Sequence, residues 1–488
     1  MKALLKDFCC VEHDIPILGI SNDSQSVQAG DLFLATTRDT EKRVAHMAEA
    51  IGRGAAAIVY EKSALLKPPQ FKGASLPLLA VKNLQQWQGV IAARFYGHPS
   101  AELCNIGVTG TNGKTSCTHW MAEALNQLGI SCGLIGTLGV GFPQALTATG
   151  YTTPDPLKLQ KGLHLLRAQG ASVVALEVSS HALDQHRLNG MQFDVAVLTQ
   201  LSRDHLDYHG SLARYADTKA KLFQWPGLKT AIINIDDSFG KQWVQLLPKK
   251  CSVITYSLKK EADASIFPEH FESNRKGFFV KLRTPWGVGA FQSPFLGKFN
   301  LYNLMAVLAV LSHFHFSLQE ALACFERLTP VPGRLEQFGG GVGQPIVVVD
   351  YAHTPDALEQ ALIALRQHCS GNLWCVFGCG GERDRGKRSQ MAEISETCSD
   401  HVIVTSDNPR AESPQQIVND IMAGFSVSGR VIVELDRGRA IAYAIRAAKK
   451  NDMVLIAGKG HESFQILGTR MIPFSDRNHV LAALAQRQ

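Results

Sequence analysis

The chain has 488 residues, 45% hydrophobic and 19% charged, with a formal net charge of +6. A single core stops growing near ~250–300 residues, so two or three domains are expected, and the ordinary globular composition excludes wholesale disorder. The charge suits small polyanionic substrates and is too diffuse to argue for nucleic acid, and no stretch of ~18 apolar residues is present to insert into a membrane.

From the N-terminus, Met1–Cys10 carries two lysines and an acid without a long apolar region. It is therefore no secretory signal, and a cytoplasmic protein is expected. Asp31–Ala35 and Ala55–Tyr60 read as buried strands, and Val44–Arg53 as a helix stopped at Gly54. Pro68, Pro69 and Pro77 break the next stretch. Leu84–Phe95 is helical in pattern, and the turn Gly97-His98-Pro99-Ser100 closes a first α/β unit. A second unit starts at the strand Cys104–Val108 and continues with Ala171–Val178, Asp194–Thr199 and Thr230–Asn234. Helical patterns at Thr115–Leu128, Leu157–Ala168 and Ser211–Phe223 separate these strands. Such alternation predicts a parallel sheet covered on both faces. Cys251–Phe295 reads as short strands forming an antiparallel edge, and Asn300–His313 and Leu318–Leu328 as helices. Beyond the proline-rich boundary Thr329–Gly333 come the strands Ile346–Asp350, Leu373–Phe377, His401–Thr405, Arg430–Leu435 and Met453–Ala457. With the helices between them they make a second doubly wound unit. The expected domains are thus residues 1–98, 99–330 and 331–488. The eleven cysteines form no C-x-x-C pair, which removes zinc-ribbon and thioredoxin-like readings and leaves free thiols.

The first chemical signal is Gly107-Val-Thr-Gly-Thr-Asn-Gly-Lys-Thr-Ser116, set between a strand and a helix. Gly110 and Gly113 let backbone N–H groups of Thr111 and Asn112 approach phosphate oxygens, and the helix N-terminus adds positive potential. Lys114 then neutralises the outer phosphates, while Thr115, followed by Ser116, offers a hydroxyl to Mg²⁺. Val108 stands where the strict phosphate-loop pattern wants glycine. A glycine turn that merely caps a helix is outweighed by the internal G-K-T-S. No D-F-G, H-R-D or N-K-x-D motif supports a kinase or a GTPase.

Further motifs follow in order: Thr152-Thr153-Pro154-Asp155, Glu177-Val-Ser-Ser-His181, Asp204-His-Leu-Asp-Tyr-His-Gly210 and Gly297-Lys-Phe-Asn-Leu-Tyr-Asn303. After them stand Pro332-Gly-Arg334, Asp350-Tyr-Ala-His-Thr-Pro-Asp356, Gly378-Cys-Gly-Gly381, Asp407-Asn-Pro-Arg410 and Gly458-Lys-Gly-His-Glu462. The series resembles the Mur ligases over nearly the whole chain, and most closely their diaminopimelate-adding members. The resemblance implies a small N-terminal α/β domain that binds UDP, a central P-loop ATPase with a mostly parallel sheet, and a C-terminal Rossmann-like domain that brings the amino acid. It implies an ATP-dependent ligase of cytoplasmic peptidoglycan precursor synthesis, with Mg²⁺ as cofactor. The γ-carboxylate of D-glutamate in UDP-N-acetylmuramoyl-L-alanyl-D-glutamate becomes an acyl phosphate, and an amine of meso-diaminopimelate displaces phosphate. A monomer with hinged domains is the default expectation.

The roles carried over by the resemblance are residue-specific. Lys114, Glu177, His205 and Lys219 are its catalytic set. Thr115, Glu177, His205 and a carbamate on Lys219 are its metal ligands. Asn300, Arg334 and Asp350 join the loop in ATP binding. Asn22, Ser24, Tyr151, Thr152, Thr153, Ser179, Gln185 and Arg187 bind the UDP-linked peptide, and Arg383, Asp407, Asn408, Pro409, Arg410, Gly458 and Glu462 bind the amino acid. Read without the resemblance, Lys219 is a helical lysine, Asp204-His205 a turn, Asn300 a helix cap and Asp350 a strand-end turn former. Arg38–Arg43 departs from the family's glycine-containing pattern. An L-lysine-adding homologue, a folylpolyglutamate synthase-like ligase and an inactive nucleotide sensor are the alternatives. The arginine of D-N-P-R argues against the first, the long N-terminal unit against the second, and intact Lys114, Glu177, His205 and Lys219 against the third.

Overall fold

The computed structural model describes residues 1–62, 71, 75–260, 263–274, 277–427, 429 and 431–487. Pro68 and Pro69, expected to break the chain, and Arg430, expected to begin a strand, lie outside them. The fold is α/β in three domains, each built on its own sheet.

The first sheet has four parallel strands in chain order, Gly19–Ser21, Asp31–Ala35, Ala57–Glu61 and Leu78–Val81. Helix Thr40–Gly52 begins before the expected Val44, because the Asp39 side chain accepts from the Lys42 amide and caps it. The departure from the family pattern at Arg38–Arg43 is thus a helix start.

The central sheet has eight strands. From one edge they run Ser252–Tyr256, Thr230–Asn234, Val195–Leu198, Cys104–Thr109, Val173–Glu177, Cys132–Gly136, Gly139–Phe142 and Ala145–Thr147. All pair in parallel except the last two, which form an antiparallel ribbon. Period-two alternation divides the core. Val173 and Ala175 pack with residues of helices Lys114–Gln127 and Lys298–His313, while Val174 and Leu176 face Leu159 and Leu163 on the opposite layer. Cys132–Gly136 was not expected as a strand, since its two glycines lower β-propensity. Burial decides instead. A Cβ on Gly133 would lie 2.6 Å from Leu166 Cδ2, so the glycine admits the covering helix.

The antiparallel edge expected over Cys251–Phe295 is corrected in two ways. Ser252–Tyr256 joins the central sheet in parallel. Phe267–Asn274, Gly277–Thr284 and Gly287–Ser293 form a separate antiparallel sheet whose Phe278, Val280, Leu282 and Phe291 complete the central core. The third domain has six strands in the order Glu336–Gly339, Ile346–Asp350, Met453–Ala457, Leu373–Phe377, His401–Val404 and Val431–Val433. The first pairs antiparallel and the rest parallel. Helices cover both faces of this sheet, giving two apolar layers.

The first two domains meet by backbone. Gly89, inside helix Leu84–Phe95, has no room for a side chain: a Cβ there would lie 2.0 Å from the Asn189 carbonyl oxygen. From the other side, Gly190 (φ +87°) would place a Cβ 2.6 Å from the Gly89 carbonyl oxygen. The Asn189 side chain donates to the Gln86 carbonyl at 2.9 Å. Among the described residues no helix is long and apolar enough to cross a membrane. Gly89→Ala, although it raises helix propensity, forces the two backbones apart. It is expected to destabilise the protein by about 1–3 kcal/mol in denaturant unfolding, the range of an overpacked contact, and an increase in stability would contradict this docking.

Candidate active site

The segment Gly110–Ser116 leaves the carboxyl end of strand Cys104–Thr109 and opens helix Lys114–Gln127. Gly110 (φ +144°) and Gly113 (φ +87°) hold backbone conformations that side chains resist. A Cβ would lie 1.9 Å from Thr199 Oγ1 at the first and 2.5 Å from Asn303 Oδ1 at the second. Thr199 fixes the loop by donating to the Asn112 carbonyl at 2.6 Å, and the Thr111 amide donates to the Gln200 carbonyl at 2.7 Å.

Two lysines converge on one acceptor. Lys114 Nζ lies 2.9 Å and Lys219 Nζ 3.0 Å from the Gly110 carbonyl oxygen. Lys219, 1% exposed, also reaches Thr109 Oγ1 at 3.4 Å and sits 4.7 Å from the Tyr215 ring centroid. Burial first, and then the Lys114 charge, hold Lys219 well below the usual lysine range. Burial also lowers Lys114, against the opposing pull of Glu177 and Asp204.

Glu177 ends strand Val173–Glu177 and is 1% exposed. Its carboxylate accepts from Thr115 Oγ1 at 3.0 Å, the Thr137 amide at 2.8 Å and Thr137 Oγ1 at 3.1 Å. A buried hydroxyl and carboxylate side by side at the mouth of a phosphate loop are hard oxygen donors that fit Mg²⁺. Lys219 as an amine does not; it fits only after conversion to an oxygen donor. His205 (φ +51°) hydrogen-bonds neither Thr115 nor Glu177. Its ring lies 3.4 Å from Asp204 Oδ2 and edge-on to His181, with centroids 4.8 Å apart. Among the described residues no three His, Cys, Asp or Glu side chains converge as a metal site.

Five of the residues assigned to the UDP-linked peptide form one network. Thr152 Oγ1 lies 3.1 Å from Thr137 Oγ1, and Thr153 Oγ1 donates to the Glu177 carbonyl at 2.7 Å and lies 3.1 Å from Ser179 Oγ. Arg187 donates to the Thr153 carbonyl at 2.9 Å and, through Nε and Nη2, to Gln185 Oε1 at 3.0 and 2.6 Å. Tyr151 is exposed beside it, its ring 5.8 Å from the Arg187 guanidinium. Asn22 and Ser24 stay outside this network, bonded within the first domain to Gln88 at 3.2 Å and Glu49 at 2.7 Å.

The third domain reaches the loop directly. Arg334 Nη2 donates to Thr115 Oγ1 at 3.2 Å, and the Asp356 carboxylate accepts from Ser202 Oγ at 3.0 Å and Asn112 Nδ2 at 3.4 Å. Asp350 acts behind Arg334: it accepts from the Leu335 and Ala352 amides at 2.7 and 2.8 Å, fixing the turn that carries the arginine. Burial raises its carboxyl above the usual range. Asn300 donates to the Leu296 carbonyl at 2.8 Å and accepts from Asn303 at 3.2 Å; it backs Asn303 and not the loop itself. The Arg334 guanidinium lies 4.7 Å from the Tyr351 ring centroid, and Tyr351 lies 5.3 Å from the His461 ring. This chain of contacts runs from the phosphate loop to the segment Gly458–Glu462.

There Lys459, fully buried, donates to Asn408 Oδ1 at 3.1 Å and Glu462 Oε2 at 2.8 Å, and Asn408 Nδ2 donates to the same Glu462 oxygen at 2.9 Å. Gly458 (φ +118°) leaves room for Asp407: a Cβ would lie 2.6 Å from Asp407 Oδ2. Buried Pro409 leads into Arg410 (φ +53°), whose Nη1 donates to the Gly381 carbonyl at 2.8 Å and the Asn408 carbonyl at 3.4 Å. Its Nε and Nη2 make no hydrogen bond within the described residues. Arg383 is exposed.

Tyr351, Asp356 and Lys459 lie inside the motifs Asp350–Asp356 and Gly458–Glu462, but only their contacts in the fold distinguish them from their neighbours. Thr137 carried no signal, since it belongs to the turn after an unexpected strand.

The description "Mur ligase middle domain" matches residues 108–311, and "Mur ligase, glutamate ligase domain" matches residues 333–460. The chain is 48% identical to the UDP-N-acetylmuramoyl-L-alanyl-D-glutamate–2,6-diaminopimelate ligase of Coxiella burnetii, over 96% of each chain. It is 47% identical to the protein of the same name in Pseudomonas aeruginosa, over 97% of this chain and 96% of that one. A solved structure bearing this enzyme name superposes with a TM-score of 0.70 at 38% identity, covering 98% of both chains. Lys114→Ala removes a cation from the loop without touching a core, so ATP binding is expected to weaken roughly 10–100-fold, the size of a hydrogen bond to a charged group, with an unchanged unfolding midpoint. Calorimetric titration showing unaltered affinity would take the loop out of nucleotide binding.

Proposed function

The chain belongs to the Mur ligase family, and from that premise we infer that it is the ATP-dependent ligase that joins 2,6-diaminopimelate to UDP-N-acetylmuramoyl-L-alanyl-D-glutamate. The observation that carries this reading is the continuous path Thr115–Arg334–Tyr351–His461, which links the phosphate loop to the segment Gly458–Glu462, whose Glu462 is hydrogen-bonded in turn to Asn408 of the loop that bears Arg410. Residues 1–98 are assigned to the UDP moiety, 99–330 to ATP and 331–488 to the amino acid.

The D-glutamate γ-carboxylate attacks the terminal phosphorus of ATP, giving an acyl phosphate and ADP. The diaminopimelate amine then adds to the acyl carbon, phosphate leaves, and the amine loses a proton. The first step brings anions together, so the loop amides, Lys114 and Arg334 are placed to screen the developing charge. Mg²⁺, when bound, supplies further screening of the phosphates, held by Thr115 and Glu177 with His205 and a carbamate on Lys219. Asn300 and Asp350 support the ATP site from behind the loop and behind Arg334. The weakly basic Lys219 amine suits carbamate formation, since only the neutral amine adds to CO₂. Asn22, Ser24, Tyr151, Thr152, Thr153, Ser179, Gln185 and Arg187 hold the UDP-linked dipeptide, the last by its positive charge, its Nε and Nη2 fork being held by Gln185. The Nε and Nη2 edge of Arg410 receives the distal carboxylate that distinguishes diaminopimelate from lysine. Arg383, Asp407, Asn408, Pro409 and Gly458 complete that pocket, with Glu462 facing the distal ammonium. The protein is proposed to act as a cytoplasmic monomer.

Lys219→Ala is expected to be nearly inactive in a ligation assay and to regain part of its activity with short carboxylates that replace the carbamate oxygens; full activity without them would remove Lys219 from the site. ADP release that requires both the UDP-dipeptide and meso-diaminopimelate tests the function itself. L-lysine is expected to be a poor substitute, with discrimination falling about 10–100-fold in Arg410→Ala. Equal use of lysine by the unmodified enzyme refutes the specificity, and ADP release with a folate and glutamate instead refutes the reaction.

A further inference from the structure

Among the largest fully buried side chains is Arg388, in the first turn of helix Gly386–Cys398. Its side chain is 0% exposed and faces two carboxylates. Nη1 donates to Glu412 Oε2 at 3.0 Å and Asp420 Oδ2 at 2.8 Å; Nη2 donates to Glu412 Oε1 at 3.1 Å and the Gly380 carbonyl at 3.3 Å. A buried ion cluster is a poor device for stability alone, because apolar side chains of similar volume often do as well or better. What a planar fork supplies is geometry.

That geometry bears on two loops. Glu412, two residues past Arg410, also accepts from the Glu382 amide, in a loop residue held at φ +55°. The Gly381 amide donates to the Asn408 carbonyl at 2.9 Å, and Arg410 Nη1 returns a bond to the Gly381 carbonyl at 2.8 Å. Gly380 lies where the loops meet: a Cβ on it would be 3.0 Å from Arg410 Nη1 and 3.7 Å from Arg383 Cγ. Thus the residue whose carbonyl Arg388 holds is bordered by both arginines.

We propose that Arg388 is a positioning residue that, through Glu412 and the Gly380 carbonyl, sets the spacing of Arg383 and Arg410 and so the affinity for the amino-acid co-substrate. The inference rests on the proposed role of those two arginines. Neither Arg388 nor Glu412 touches the phosphate loop, so their effect is confined to one substrate.

Steady-state kinetics of the full chain, varying each substrate in turn, tests this on Arg388→Lys, which keeps the charge and loses the fork, and on Glu412→Gln, which keeps an acceptor for the Glu382 amide. In both, the KM for meso-diaminopimelate is expected to rise about tenfold or more, the size of one weakened charge-assisted bond, with the KM values for ATP and the UDP-dipeptide within about twofold and kcat within about threefold. Discrimination against L-lysine is expected to fall in parallel. A folded variant with all three KM values unchanged, or with all three raised together, overturns the proposal. If Arg388→Lys does not fold, Glu412→Gln decides by the same criteria. Should the unmodified protein ligate a different amino acid, the proposed substrate fails and that amino acid's KM tests the inference; ligation of none overturns both.

Discussion

The Glu177 carboxylate, buried at the end of a central strand, is stabilised by the Thr115 hydroxyl and by the amide and hydroxyl of Thr137. A charge left without partners in such a place costs several kcal/mol, so these donors have little freedom to move. Thr115 is the second residue of the loop helix, Thr137 also ties in Thr152, and the Glu177 carbonyl accepts from Thr153. The phosphate loop and the segment Thr152–Thr153 are therefore set by one residue, through its carboxylate and its carbonyl. Gly136 belongs to the same arrangement, because a Cβ there would lie 2.3 Å from Glu177 Oε1.

The third domain follows the same logic with the signs exchanged. Its buried cations, Arg388, Arg437 and Lys459, each anchor a loop at a strand's carboxyl end. Lys459 joins Asn408 to Glu462, and Arg437 pairs with Asp476 at 2.7 Å while donating to the Ala457 carbonyl at 2.9 Å, just before Gly458. The central domain positions its chemistry with a buried anion and hydroxyl donors. The third domain positions loops with buried cations and carboxylates. The two meet at Arg334, a cation held by the grip of the Asp350 carboxylate on the neighbouring turn.

Most of the architecture was legible because its strands are apolar runs bounded by turn residues. Thr230–Asn234, Ile346–Asp350, Leu373–Phe377 and Met453–Ala457 fall where the pattern puts them. Cys132–Gly136 escaped because its glycines serve close packing against a helix, a tertiary need with no local signature. The strands Phe267–Asn274, Gly277–Thr284 and Gly287–Ser293 are legible as strands but not as a separate sheet, since alternation reports a half-buried face without naming what covers it. In the site, the loop was readable from mechanics alone. Lys219 and His205 were not: one is an ordinary helical lysine until the fold buries it beside Gly110, and the other needs a left-handed backbone to face His181. Thr137 and Arg388 act through partners distant in sequence, which no spacing rule records.

The facing glycines at the first domain boundary bear on how the chain assembles. A glycine inside helix Leu84–Phe95 lowers its intrinsic tendency to form by about 1 kcal/mol relative to alanine. That deficit is intrinsic to the N-terminal segment, whereas the contact that requires it belongs to the Asn189–Gly190 turn, roughly a hundred residues later. Nascent or excised, the first domain carries a helix weakened for a neighbour it has yet to meet. Its folding is thereby coupled to that of the central domain, and the order of synthesis runs against the order in which this helix becomes fully stable.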